Sequence, residues 1–191
     1  VVLAAGIVAV AVLAGVILGY GNDPEGWRTA ARATARTSLV LFLPVFVASS
    51  VNALFGGSVG KWLLRNRRHL GLSFATSHLV HALTFMTYAA VREQSIAVLV
   101  SSATLVGGSA GYVFVAAMAI TSTRSAIQRM GRRNWTILHR AGMYVLAGIF
   151  VFTYLGPGLQ RDPLGVAAML CLLAAFGLRL AARIRAMRRR G

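Results

Sequence analysis

Six apolar runs dominate this chain: residues 2–20, 38–56, 70–91, 95–120, 137–156 and 164–183. Each is close to the ~20 residues a helix needs to cross the hydrocarbon core of a bilayer. Within lipid every backbone N–H and C=O must find its partner inside the structure, so only helices and closed barrels can span it. Barrel strands alternate polar and apolar residues, and these runs do not. The expectation is an all-α integral membrane protein, a six-transmembrane-helix bundle that forms a single domain over residues 1–191.

Charge orients that bundle. Only 13% of the residues are charged, and the twenty Lys and Arg face four acids, for a net charge of +16. Nucleic acid is not the expected partner: the arginines sit at the ends of apolar runs, and the base-stacking interleave of such binders is missing. With six crossings, both termini and the second and fourth connections share one side. That side holds Lys61, Arg65, Arg67 and Arg68, then Arg124, Arg129, Arg132 and Arg133, then the tail from Arg179 to Arg190. The other side holds Arg28, Arg32, Arg36, Arg92 and Arg161, diluted by Asp23, Glu25, Glu93 and Asp162. The positive-inside rule puts the first group, and both termini, in the cytoplasm. Val1 in place of Met suggests a missing true N-terminus, and residues 1–20 are too long for a signal-peptide core.

Most local motifs have plain readings. Pro44 is expected to kink the second span, and Gly156-Pro157-Gly158 to punctuate the chain after the fifth. Gly107 and Gly111 suit close helix packing. The Gly-x-Ser-x-Gly around Ser109 lacks the strand-to-helix turn of a nucleophile elbow. Residues 56–62, GGSVGKW, lack P-loop spacing. Cys171, the single cysteine, excludes an internal disulfide or cysteine metal cluster.

The third run differs. After the basic cluster at 65–68 it carries His78 and His81 at membrane depth, where an ionisable group is costly and a function is the default hypothesis. On a helix, Phe74, Ser77, His78, His81, Thr84, Phe85 and Tyr88 share one face, while Leu79, Leu83 and Met86 lie opposite. In the fifth run His139 has Trp135 and Thr136 one turn before it and Gly142 and Met143 one turn after. A buried imidazole on each of two helices, with small neighbours and no carboxylate, suits the two axial positions of a b-type haem. Arg68 and Arg140 are the nearest cations for its propionates. Zinc is disfavoured, because it wants three or four protein ligands. From spacing alone two other roles stay open: a transporter or channel using His78 and His81 as a proton relay, and a non-redox structural subunit.

Two stretches carry a resemblance. One is Arg67-Arg68-x-Leu70-Gly71-Leu72 with His81 ten residues after the glycine. The other is Thr121-Ser122-Thr123, then Gly131, Trp135, Leu138-His139-Arg140 and Tyr144, with Arg36-Thr37-Ser38 opening the second span in keeping with both. Over roughly residues 35–156 the chain resembles the ferric reductase-like transmembrane family, above all its branch of haem-binding membrane subunits of periplasmic methionine-sulfoxide reductases. The resemblance implies a cytochrome b-like core in a bacterial inner membrane, with His81 and His139 as iron ligands. It implies electrons drawn from a quinone or flavin reductase on the cytoplasmic side and passed to an extracytoplasmic redox enzyme. Flavin mononucleotide is implied by the resemblance only.

Departures narrow this expectation. Where the family commonly has a further histidine, about thirteen residues after the one matching His139, this chain has Phe152 and Thr153. Thr84, Tyr88 and Gln94 offer no outer ligand on the third helix either. One haem b, on the inner side, is therefore expected, and so is the lack of the flavin and nicotinamide domains of larger members. His78 is expected to be a hydrogen-bond partner beside the ligand, or an alternative ligand; His69 is interfacial. Depth adds a condition. His81 lies about 16 Å along its run from Leu70, and His139 only ~3 Å from Ile137. The third helix is thus expected to begin outside the hydrocarbon, with residues 66–73 at the interface, and the fifth to begin before Trp135.

Overall fold

The computed structural model describes residues 2–189; Val1 and Arg190, the last arginine of the basic tail, lie outside the described residues. The described residues form helices and no strand. In chain order these are α1 (Val2–Tyr20), α2 (Pro24–Phe55), α3 (Gly57–Val91), α4 (Ile96–Leu99), α5 (Ser102–Ile120), α6 (Arg124–Met130), α7 (Arg132–Leu159) and α8 (Pro163–Arg188). Five of them, α1, α2, α5, α7 and α8, are long and apolar enough to cross a membrane. The helix α3 has the length but is not among the five, because Ser73, Thr76, Ser77, His78 and His81 dilute its apolar run.

Several boundaries differ from the expected spans. Residues 95–120 are not one helix: the chain is extended at Val100 (φ −132°, ψ 156°). There Ser101 accepts a hydrogen bond from the Thr104 N–H at 3.2 Å and so caps α5. The short helix α6 occupies the fourth connection, capped by Thr123, whose hydroxyl accepts from the Ala126 N–H. Neither proline ends a helix, since α2 runs through Pro44 and α7 through Pro157. The Gly-Pro-Gly stretch is therefore helical, and the turn falls later, at residues 160–162. Asp162 caps α8 by accepting from the Gly165 N–H at 2.7 Å, with Pro163 in the first helical turn. As expected, α7 starts before Trp135, and α3 is helical through residues 66–73.

By compactness the chain divides into residues 1–42 with 69–119, and residues 43–68 with 120–191. In the first unit α1 buries Ala5 and Ala9, and a Cβ on Gly6 would stand 3.3 Å from the Thr76 methyl of α3. Small residues thus let α1 lie close on α3. The α3 face is as its periodicity predicts: Phe74, Ser77 and Thr84 are buried, while Leu79, Leu83 and Met86 are exposed. In the second unit α7 and α8 pack along their length around Leu146 and Leu172, both fully buried. Gly131 joins α6 to α7 at φ +80°, a conformation that favours glycine.

Candidate functional site

In the first unit, α2 and α3 meet along a seam of paired residues. Thr34 Oγ1 lies 3.2 Å from His81 Nδ1. One turn away, Ser38 Oγ lies 3.2 Å from Ser77 Oγ. A further turn on, the Phe42 and Phe74 rings are 5.4 Å apart. Thr34, Ser38 and Ser77 are completely buried. On α2 the two hydroxyl side chains can sit there because each also bonds its own helix: Thr34 reaches the Ala30 and Ala31 carbonyls at 2.9 and 3.1 Å, and Ser38 donates to the Thr34 carbonyl at 3.0 Å. Their polarity is satisfied before the partner helix arrives.

His78 belongs to the same face. Its ring stacks between Phe74 (5.3 Å) and Tyr112 of α5 (4.8 Å), and lies 5.5 Å from the His81 ring. A flat aromatic stack of this kind suits a neutral imidazole well.

In the second unit His139 is held by Thr121 and Trp135. Its Nε2 is 3.1 Å from the Thr121 hydroxyl, and the Trp135 ring stacks on it at 4.1 Å. The Trp135 indole N–H donates to the Thr121 carbonyl at 3.0 Å. One threonine therefore fixes both rings. Gly142 and Met143, one turn further on, are buried.

The second unit also carries cations. Arg68 and Arg140, the residues expected to meet propionates, are both exposed. Arg67 is half-buried; burial, and then Arg179, lower its guanidinium from the ordinary arginine value. Arg179 lies over the rings of Phe46 and Tyr144, 4.3 and 4.6 Å from their centroids. It donates to the Phe46 carbonyl and to the Tyr144 hydroxyl. The only ion pair among the described residues is Arg28 with Glu25, which raises the Arg28 value through their hydrogen bond.

Sequence reasoning found the three half-buried histidines and the Trp135 neighbour, and missed Thr34, Tyr112, Thr121 as a partner of His139, and Arg179 as a folded-back cation. Signals existed for two of these. Thr34 and Ser38 are spaced four residues apart, the same interval as Ser77 and His81. Arg179 is a charge inside an otherwise apolar run.

The donor set limits the chemistry. Among the described residues no group of three or more His, Cys, Asp or Glu is arranged to hold a metal ion. A cation bound only by protein side chains is therefore poorly served. Single imidazoles with apolar and aromatic walls fit a group that brings four of its own nitrogens and needs only axial ligands from protein, as haem does.

Comparison with known proteins agrees. The family model described as "Ferric reductase like transmembrane component" matches residues 32–151. The chain is 36% identical over 96 residues to the protein-methionine-sulfoxide reductase heme-binding subunit MsrQ of Herminiimonas arsenicoxydans, covering 49% of this chain and 43% of that one. It is 31% identical over 152 residues to the MsrQ of Azospira oryzae, covering 74% of this chain and 61% of that one. To the MsrQ of Deinococcus radiodurans it is 25% identical over 164 residues, covering 84% and 76%. The chain thus spans less than half of the first relative's length and about three fifths of the second's. No solved structure matches.

Proposed function

Because the chain belongs to the ferric reductase-like transmembrane family, we propose that it is a haem b-containing electron-transfer subunit of a bacterial inner membrane. It passes electrons from a cytoplasmic-side donor, a quinol or a flavin reductase, toward an extracytoplasmic redox enzyme. The observation that carries this reading is the setting of His81 and His139: imidazoles in helices of a membrane family, each anchored by a threonine hydroxyl, where the described residues hold no group of three or more His, Cys, Asp or Glu that could bind a bare metal ion.

His81 and His139 are the proposed axial ligands, and Arg68 and Arg140 the cations proposed for the propionates. A bound haem would supply a one-electron iron couple, and ligation by both imidazoles would suit electron transfer rather than dioxygen binding. The chain's own residues hold the imidazoles: Thr34 meets His81, and Thr121 and Trp135 meet His139. The relatives named MsrQ are called heme-binding subunits of a methionine-sulfoxide reductase. By analogy the acceptor here is an extracytoplasmic reductase of that kind.

The test is optical. Protein purified from membranes after haem supply should give a Soret band, a sharp reduced α band, and a pyridine haemochrome of b type near one haem per chain. A colourless protein would sink the proposal and favour a proton relay or a structural role for the histidines. Two haems per chain would overturn the single-haem reading.

A further inference from the structure

We propose that Thr34 is a positioning residue for His81: by taking the proton of Nδ1 as a hydrogen bond, it leaves Nε2 as the bare nitrogen that would bind iron. This rests on the haem reading above. The argument is one of donors and acceptors. A threonine hydroxyl has one proton and two lone pairs. Thr34 Oγ1 lies 2.9 Å from the Ala30 carbonyl and 3.1 Å from the Ala31 carbonyl. Carbonyls only accept, so the hydroxyl proton is spent on its own helix. What Thr34 turns toward His81 Nδ1, at 3.2 Å, is then a lone pair. With the hydroxyl proton held by its own helix, the ring is the donor.

A neutral imidazole carries one proton, and only the other nitrogen has a lone pair in the ring plane. With the proton on Nδ1, Nε2 is ready to bind iron without losing a proton first. The reverse arrangement, with Thr34 donating to Nδ1, would put the proton on Nε2 and block it. Ligating histidines are generally fixed in this way through their second nitrogen, and the fixing group raises ligand basicity.

The seam makes the arrangement rigid. The three rungs, Thr34 with His81, Ser38 with Ser77 and Phe42 with Phe74, lock the rotation and register of α2 against α3. Thr34 and Ser38 are 0% exposed, so water does not compete for the bond.

The full chain with 15N-labelled histidine in nanodiscs, prepared without haem, tests the tautomer directly. His81, assigned by its loss in His81→Ala, should show a protonated Nδ1 and an unprotonated Nε2. A protonated Nε2 in the wild type would overturn the proposal, with no variant needed. In the haem-loaded protein, Thr34→Val should weaken haem retention by ~10–100-fold, the usual cost of losing such a partner. It should also move the midpoint potential upward, because a less basic imidazole stabilises ferric iron less. Thr34→Ser, which keeps the hydroxyl, should restore both. Unchanged retention and potential in Thr34→Val would overturn the role. A low-spin spectrum that survives in His81→Ala would instead overturn the ligand assignment beneath it, whatever the tautomer.

Discussion

His81, His139 and His78 share a residue type and differ in surroundings, and the differences separate their expected behaviour. His81 turns Nδ1 to Thr34, which leaves Nε2 for a ligand. His139 uses Nε2 itself to meet Thr121, so binding iron through that atom exchanges the hydroxyl for the metal. Thr121→Val should therefore leave haem content near the wild-type level, in contrast to Thr34→Val, as a haemochrome assay on the purified pair would report. His81→Ala and His139→Ala should each abolish the low-spin spectrum. His78 fills the gap between Phe74 and Tyr112. His78→Ala should keep the spectrum but lower stability by roughly 1–3 kcal/mol, since two ring contacts are lost from a packed position. Loss of the low-spin form in His78→Ala, measured at saturating haem, would reverse that ranking. The histidines were legible in the sequence because charge-capable groups are rare at membrane depth. Their threonine partners were not, because a threonine in an apolar run is common and only the meeting of two helices gives it a role. Arg179 shows the same limit: its place near the end of an apolar run reads as a topology signal, yet its guanidinium is folded onto Phe46 and Tyr144. Arg179→Leu should cost roughly 2–4 kcal/mol in a detergent melt, from charge-assisted bonds and two ring contacts. Lysine should rescue little of that, lacking the planar fork.

At the level of elements, existence and type were legible from run length, while ends and breaks were not. Helix α2 is 32 residues long although only its second half is apolar; its first half holds Arg28, Arg32 and Arg36, which extend the helix beyond what a span needs. Pro157 looks like a stop and is not, and Pro44, read as a kink, lies inside α2; a proline removes one hydrogen bond, and a helix packed on neighbours tolerates the loss. The break at residues 100–101 has the opposite character: Val and Ser carry no stop signal, and the cap at Ser101 becomes visible only in three dimensions. Glycines at helix contacts can be sorted by what a side chain would meet. A Cβ on Gly165 would stand 2.7 Å from the Pro157 carbonyl carbon, backbone that cannot step aside, whereas one on Gly148 would meet nothing within 4 Å. Gly165→Ala should thus destabilise the α7–α8 turn by about 1–3 kcal/mol. Gly148→Ala should be neutral or gain up to ~1 kcal/mol from helix propensity. Equal melting shifts for the two would show that close approach at Gly165 does not limit the fold.

Whether α3 crosses the membrane decides the topology of the whole molecule, and hydropathy alone leaves five helices that qualify without it. Charge argues for six crossings. If α3 crosses, the basic groups at 61–68, at 124–133 and at the C-terminal end fall on one side, and all four acids on the other. If α3 does not cross, the group at 124–133 faces away from the group at 61–68, and the positive-inside bias disappears. The polar face of α3 is no objection, since Ser73, Ser77 and Thr84 are buried and Leu79, Leu83 and Met86 are left to face lipid. A helix that hides its hydroxyls and imidazoles against neighbours can span with a low mean hydropathy. The check uses single cysteines on a background of Cys171→Ser. In intact spheroplasts, Gln128→Cys on α6 should resist a membrane-impermeant maleimide until the cells are lysed, and Gln160→Cys between α7 and α8 should react at once. With five crossings and the same N-terminal side, the two would exchange behaviour, because removing one crossing inverts everything after it. That inversion would also move the Arg132 and Arg133 end of α7, and with it His139, to the opposite side from the basic cluster at 61–68. The labelling pattern therefore tests the electron-entry side as well as the fold.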